Sequence, residues 1–570
     1  MAFDGITTKA VAGELQALAG ARIDKVFQPN KNEVILGLYI NGANYALDIC
    51  IDSGNYRINL TTHSKSNPQV APNFCMLLRK HLIGLKLKNV VTFGLERLVI
   101  LDIEGFDEFE DVVSKKLIVE LMGKHSNIIL VDETNIIVDS LRHIKSDDEL
   151  NRSILPHIKY QFPTTTKQDF FDLKDFEDFK NKLGETSKDT LITSICETFN
   201  GLSNIFVENL VNGLEQNENT KDVYSKINKI IENTANTHFE IVEKNVRNKI
   251  KKDYCLVIGN DNETSPFHLN FFIDDFYYNK ETNDNFKAYR DTTLKLILGI
   301  LKKYNTRLLN IDTKLKECEN MDVYRVYGEL ITANLYRIEN INLDFVELEN
   351  YYDNNNLIKI QLDKKYLPSV NAKRFYKKYN KLKNTLEIVG IQKQETIKEL
   401  DYLESIVYEL EASTTVEEVA QIFDEISENV MIKDTISKTQ KKSKIKKSKL
   451  TKNKEVSFNP IKYTIDDYTI FVGRNNKEND YLTLKFANKS DYWFHTKDIH
   501  GSHVILKTQA GLIPTENILY KCAELASKHS KAKNSSNVPV DYCQVKYVKK
   551  PSGAKPGMVI YTNNKTIFVK

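Results

Sequence analysis

Hydrophobic and polar positions alternate over roughly the first 145 residues. Residues 34–40 (Val-Ile-Leu-Gly-Leu-Tyr-Ile) and 45–51 (Tyr-Ala-Leu-Asp-Ile-Cys-Ile) flank the turn formers Asn41-Gly42-Ala43-Asn44, which predicts a β-hairpin. Further strand-like runs fall at 98–103, 116–122, 127–131 and 136–140, with Asp132-Glu133-Thr134-Asn135 as a turn. Helical spacing interrupts them at 7–19 and again after Ala71-Pro72. The combination predicts an α+β sandwich or half-barrel. From 176 to 275 alternation gives way to helical spacing, broken at Asn200-Gly201-Leu202-Ser203.

The most regular pattern follows. Leu294, Ile297, Leu301, Tyr304, Leu308, Ile311, Leu315 and Cys318 alternate steps of three and four, the mark of a heptad seam. A second seam runs through Tyr379, Leu382, Leu386, Val389, Leu400, Leu403, Val407 and Leu410, with Lys393 and Thr396 as polar interruptions in register. Folded against each other, the seams predict one antiparallel coiled-coil arm, residues 281–432, of about 45 Å. The segment between them, about 320–378, would form a small domain at its tip. Residues 433–455 are a low-complexity, lysine-rich linker whose like charges repel one another. A last module, 456–570, regains alternation at 468–472 and 481–485, carries a helix at 514–530, and ends in strands at 545–548, 558–561 and 566–569.

Charge changes this picture. The net charge of +3 conceals 27 Lys and Arg against 11 Asp and Glu from residue 433 onward. A cationic end attracts polyanions and contributes nothing to folding. No run reaches the ~18 apolar residues of a membrane helix, and the N-terminus has no apolar leader. The seven cysteines are scattered, which predicts reduced thiols and a cytoplasmic protein.

Candidate chemistry is sparse. His495, His500 and His503 lie close to Trp493, the only tryptophan, but no cysteine or fourth ligand sits at metal-site spacing, so no metal is expected. The stretch reads better as RNA-binding, with Trp493, His495 and His503 stacking on bases or packing and Lys497 and Ser502 meeting phosphates. Lys549-Lys550-Pro-Ser-Gly-Ala-Lys555-Pro-Gly557 is a stiff basic loop suited to phosphate, though it lacks the Gly-Lys-Ser/Thr order of a nucleotide P-loop. In the N-terminal part, Glu120-Leu121-Met122-Gly-Lys124-His125-Ser-Asn127 ends a strand. Its His-Ser pair has no acid partner to make a nucleophile. Glu96-Arg97 opens another strand, either as a surface ion pair or as an arginine oriented to meet a base or phosphate.

Taken together, residues 1–5, 120–127, 324–335, 371–383, 473–483, 491–504, 538–541 and 549–558 resemble, in order, the NFACT family, some bacterial members of which are also called fibronectin-binding protein A-like. The resemblance implies a multidomain α+β protein. Its parts would be a β-rich NFACT-N domain (1–175), a helix-hairpin-helix domain (176–280), the coiled-coil arm with its tip, and an NFACT-R RNA-binding domain (456–570). It implies a ribosome quality control factor with no active site or cofactor of its own. Such a factor binds large ribosomal subunits blocked by peptidyl-tRNA and recruits tRNA, in bacteria chiefly alanyl-tRNA, for mRNA-independent C-terminal tailing that marks the chain for degradation. An accessory RNA-binding quality-control protein would assist.

By the same resemblance Glu96, Arg97, Glu120, Leu121 and Met122, with Lys124, His125 and Asn127 beside them, would lie at the tRNA anticodon, and Arg474 would join the C-terminal RNA-binding set. The sequence departs from the family pattern in having Glu96 where Asp is usual, and His157, Asn204 and His500 at other matched positions. A surface fibronectin-binding adhesin would need an export signal. A DNA glycosylase of formamidopyrimidine type would need an N-terminal proline where Ala2 and Phe3 stand.

Overall fold

The computed structural model describes residues 3–106, 111–145, 152–184, 190–212, 220–246, 249–259, 266–338, 343–428, 458–508 and 513–570. The lysine-rich linker expected at 433–455 lies outside them. The chain divides into two compact units, residues 1–282 and 283–570.

The first unit opens with helix α1 (Gly5–Leu15), capped by Asp4, whose carboxylate accepts the Thr7 N–H at 2.9 Å. Strands β1 (Arg22–Asn30), β2 (Glu33–Ile40), β3 (Ala43–Cys50) and β4 (Arg57–Leu60) follow, then helix α2 (Asn73–Leu82). Next come β5 (Lys86–Thr92), β6 (Leu98–Phe106), β7 (Val112–Glu120), β8 (Asn127–Asp132) and β9 (Ile137–Ser140). The predicted hairpin is β2–β3, joined by Asn41 and Gly42 at φ 51° and 79°, the left-handed pair that a tight two-residue turn requires.

Among the described residues these strands make one nine-stranded sheet in the order β4-β3-β2-β1-β5-β6-β7-β8-β9, not the two sheets of a sandwich. Helix α2 touches both β1 and β9, which lie five strands apart, roughly 24 Å on a flat sheet. The sheet therefore curls around α2, which is the half-barrel alternative.

Helices α3 (Phe176–Leu183), α4 (Leu191–Thr198), α5 (Asn204–Asn212) and α6 (Thr220–Glu232) come next. The helical expectation for 176–275 then fails: β10 (Thr237–Val246) and β11 (Lys249–Ile258) form a ten-pair antiparallel hairpin. Its charged residues, such as Glu240, Glu243, Lys251 and Lys252, interrupt the apolar alternation that marks a strand. One continuous apolar cluster joins α1 and the sheet to α4, α5, α6, this hairpin and the start of α7 (His268–Glu319).

In the second unit, the continuation of α7 pairs with α9 (Pro368–Ala412). Ile297 and Ile300 share a buried cluster with Leu403 and Ile406, and Asp312 meets Lys393 at 2.8 Å. Residue numbers therefore fall on one helix as they rise on the other, and the pairing is antiparallel. Both polar interruptions are accounted for. Lys393 bridges to α7, and buried Thr396 donates its hydroxyl to the Gln392 carbonyl at 2.7 Å. Between the long helices stand α8 (Met321–Ala333) and the hairpin β12 (Phe345–Asn350)–β13 (Asn356–Gln361), with their own small core. Helix α10 (Val416–Glu428) packs beside α9.

The C-terminal module comprises β14 (Ile461–Ile465), β15 (Tyr468–Val472), α11 (Asn476–Tyr481), β16 (Tyr492–Thr496), β17 (Val504–Leu506), α12 (Glu516–Lys528), β18 (Val538–Gln544), β19 (Val548–Lys549), β20 (Ile560–Tyr561) and β21 (Lys565–Val569). Its six-stranded sheet has the order β14-β15-β17-β16-β18-β21. The strand expected at 481–485 is instead helical, continuing α11 through Phe486, because Asn475 caps a helix there by accepting the Glu478 N–H at 2.9 Å. The strand expected at 545–548 is a tight helical turn followed by β19. All seven cysteines are buried and unpaired. Among the described residues no helix is long and apolar enough to cross a membrane.

Candidate nucleic-acid interface

Two motifs that are separate in sequence meet at one end of the N-terminal sheet. Leu98 at the start of β6 faces Glu120 at the end of β7, so Glu96-Arg97 enters the sheet where Glu120-Leu121-Met122 leaves it. The Leu121 N–H donates to the Arg97 carbonyl at 2.8 Å and fixes the junction. Glu96 is half-buried, and burial raises its carboxyl above the usual range, opposed by hydrogen bonding to Asn200 and by the charge of Arg97. Arg97 is partly exposed, and its positive charge near the Tyr56 hydroxyl opposes the rise that burial imposes on that group.

The turn that follows presents its residues unequally. Lys124 and His125 are exposed and Met122 is partly so, whereas Glu120, Leu121 and Asn127 are buried. Asn127 braces the turn: its Oδ1 accepts the N–H groups of Ile128 and Arg142, and its Nδ2 donates to the Arg142 carbonyl. Arg142 in turn donates to the carbonyls of Lys124 and Ser126. Glu120 accepts from Arg152 Nη1 and from the Tyr160 hydroxyl, each at 2.7 Å. Glu120 and Asn127 thus hold the surface in place while Arg97, Met122, Lys124 and His125 form it. Arg142, Arg152 and Tyr160 are not legible in the sequence as site residues, because nothing in their spacing shows that they converge on this turn.

In the C-terminal module, Trp493 lies wholly inside, between Leu482, Ile505 and Cys543, with no ring face exposed to a base. Strand alternation explains this, since Trp493 sits on a central strand of a sheet covered on both faces. His503 is buried with its Nδ1 2.7 Å from the Thr483 hydroxyl, and burial lowers His503 to about 3 and His495 to about 4, so both are neutral.

The cations divide. Arg474 Nη1 meets Glu418 at 2.8 Å, Lys555 meets Glu399 at 2.8 Å, and Lys550 pairs with Asp480. Glu399 and Glu418 belong to α9 and α10, so Arg474 and Lys555 fasten the module to the base of the paired helices. Lys497 and Lys549 are exposed, and Ser502 is partly so.

Two family models account for nearly all of the chain: the NFACT N-terminal and middle domains match residues 4–447, and the NFACT protein RNA binding domain matches 456–563. The chain belongs to the NFACT family. This NFACT protein is 33% identical to "Rqc2 homolog RqcH" of Bacillus subtilis (strain 168), over 100% of this chain and 98% of that one. It is 32% identical to "Rqc2 homolog RqcH" of Streptococcus suis (strain 05ZYH33), again over 100% and 98%. The solved N-terminal part of the fibronectin/fibrinogen-binding protein from Streptococcus suis is 25% identical and covers 49% of this chain and 100% of that one, with a TM-score of 0.40.

Proposed function

We propose that this NFACT protein is a ribosome quality control factor. It binds large ribosomal subunits that still carry peptidyl-tRNA and recruits tRNA, so that the ribosome extends the nascent chain at its C-terminus without mRNA. The observation that carries this reading is the end-to-end similarity to RqcH proteins across both NFACT matches.

The surface where β6 begins and β7 ends, formed by Arg97, Met122, Lys124 and His125, is assigned to tRNA. The exposed lysines of the C-terminal module are assigned to RNA phosphates. Alanyl-tRNA is the expected cargo, with an accessory RNA-binding protein as helper. Peptidyl transfer belongs to the ribosome, so the protein contributes binding and orientation and no catalytic residue.

The test is co-sedimentation of the full chain with large subunits, with and without peptidyl-tRNA, followed by sequencing of the tRNAs that copurify. Enrichment of one isoacceptor group on obstructed subunits is the expected result. Absence of tRNA from the bound fraction would overturn the assignment.

A further inference from the structure

A cavity of about 410 Å³ lies between α9, the turn from β16 to β17, and the loop that leads into β20. Its size suits a small organic molecule. Two buried polar groups on its wall lack partners. Glu409, on α9, is 6% exposed, and its Oε2 has no hydrogen-bond partner among the described residues. Trp493 lies wholly inside the module, and its Nε1–H has none either. Buried polar atoms are nearly always paired, so an unmet acceptor and an unmet donor on one cavity point to a ligand.

Charge narrows its chemistry. The wall carries the carboxylates of Asp401, Glu409 and Asp498, and no lysine or arginine among the described residues. Burial lowers His495 to about 4 and His503 to about 3, so both are neutral, and His500 lies 3.5 Å from Asp401. Such a wall repels phosphate and favours a cation. Tyr402 and Tyr561 also line it, and their hydroxyls are committed elsewhere, to Glu425 and Asp541, each at 2.8 Å. What they offer a ligand is the ring.

An ammonium suits a carboxylate beside aromatic rings. The same chain shows the arrangement nearby: the Lys555 ammonium lies 2.8 Å from Glu399 and 5.3 Å from the Tyr402 ring centre. Glu409 has no such cation among the described residues, and burial with the neighbouring Glu425 raises its carboxyl well above the usual range. An ammonium at Oε2 would offset that cost. Trp493 adds a second requirement. An ammonium cannot accept a hydrogen bond, so a ligand that satisfies both atoms also carries a neutral oxygen.

We propose that this cavity binds a small hydroxylated amine of the amino-sugar class, its ammonium on Glu409 and a hydroxyl oxygen accepting from Trp493 Nε1. Because the ligand would touch both α9 and the C-terminal module, its binding fastens one to the other.

The test titrates the full chain at neutral pH with three probes. Glucosamine carries both groups, glucose lacks the ammonium, and putrescine lacks the oxygen. Calorimetry reads affinity, and melting gives a second readout, since a ligand of the native state raises the midpoint. Glucosamine should bind about tenfold or more tightly than either of the others, which each forgo one buried hydrogen bond. Glu409→Gln should weaken glucosamine by about tenfold or more. This variant should fold, because it replaces a buried carboxyl that has no cation. Asp498 is exposed at φ 54°, a left-handed conformation that asparagine tolerates, so Asp498→Asn should fold as well. It should weaken glucosamine by no more than about fivefold, as loss of an exposed charge does.

If no probe binds, or if Glu409→Gln binds glucosamine as the wild type does, the proposal is overturned. Putrescine binding as tightly as glucosamine would remove the oxygen contact and overturn the amino-sugar class. Glucose binding as tightly would overturn the ammonium contact.

Discussion

The backbone N–H of Leu121 donates to the carbonyl of Arg97 at 2.8 Å, and this bond makes one surface of two sequence motifs more than twenty residues apart. Arg97 keeps its guanidinium partly exposed there, beside the turn that carries Lys124 and His125.

Arg97→Ala should lower tRNA affinity by about ten- to a hundredfold, as expected when a charge-assisted hydrogen bond worth about 1.5–3 kcal/mol is removed. Glu96→Asp should be mild, because it keeps the charge. Equilibrium binding of purified tRNA measures both, and full affinity in the Arg97 variant would remove the arginine from the interface.

Glu120 should behave differently. Its carboxylate is buried and paired with Arg152 and Tyr160. Glu120→Ala should therefore destabilise the first unit by about 3 kcal/mol, leaving Arg152 without its anion. Arg152→Ala should overlap with it in the double variant rather than add. Thermal melts of the four proteins give the coupling, and simple additivity would mean the pair is not the source.

The lysines of the C-terminal loop should separate in a salt titration. Lys549→Ala should flatten the logarithmic salt dependence of RNA binding by roughly 0.7–0.9 for each phosphate that the side chain no longer neutralises. Lys555→Ala should leave the slope closer to wild type, because that ammonium already faces Glu399. Equal changes in slope for both would show that the Glu399 pair opens when RNA binds.

The base of the paired helices should be more stable in mild acid. Burial raises Glu425 to about 7 and raises Glu409 as well, while the Tyr402 hydroxyl donates to Glu425 at 2.8 Å. A carboxyl whose folded value lies above its unfolded one stabilises the fold fully below the unfolded value, near 4.5, and loses that contribution as pH rises through about 7. Melting of the second unit should therefore fall between pH 5 and pH 8. Glu425→Gln should flatten that decline and stabilise the unit at pH 8 by ~1–3 kcal/mol. An unaltered pH profile in the variant would exclude Glu425 as its cause.

Heptad deletions test the helix pairing. Because Asp312 meets Lys393, residues 308–314 face 390–396. Removing both segments should keep the apolar layers matched and shorten the pair by roughly 10 Å, lowering ribosomal-subunit binding while melting stays near wild type. Removing either one alone should destabilise the pair, since facing layers no longer match in number. If both single deletions leave the melts unchanged, the seams do not support each other.

The sequence by itself determined whatever depends on local periodicity. The heptad seams appear in the structure as paired helices, and the alternating runs around 34–51, 98–103, 127–131 and 468–472 as strands, because one buried face imposes its repeat on neighbouring residues. Motif order along the chain was likewise legible, and with it the family.

Tertiary structure decided what each polar group faces. Charge alone could not show that Arg474 and Lys555 meet carboxylates of α9 and α10 while Lys497 and Lys549 stay exposed. Nor could it show that Trp493 lies in a core, since an aromatic residue among histidines fits either a core or a binding surface. The hairpin β10–β11 was hidden because charged residues interrupt its pattern, and cross-strand pairing along its length makes it a strand pair nonetheless. The meeting of Arg97 with Leu121 follows from the register of β6 on β7, a long-range pairing that no local pattern encodes.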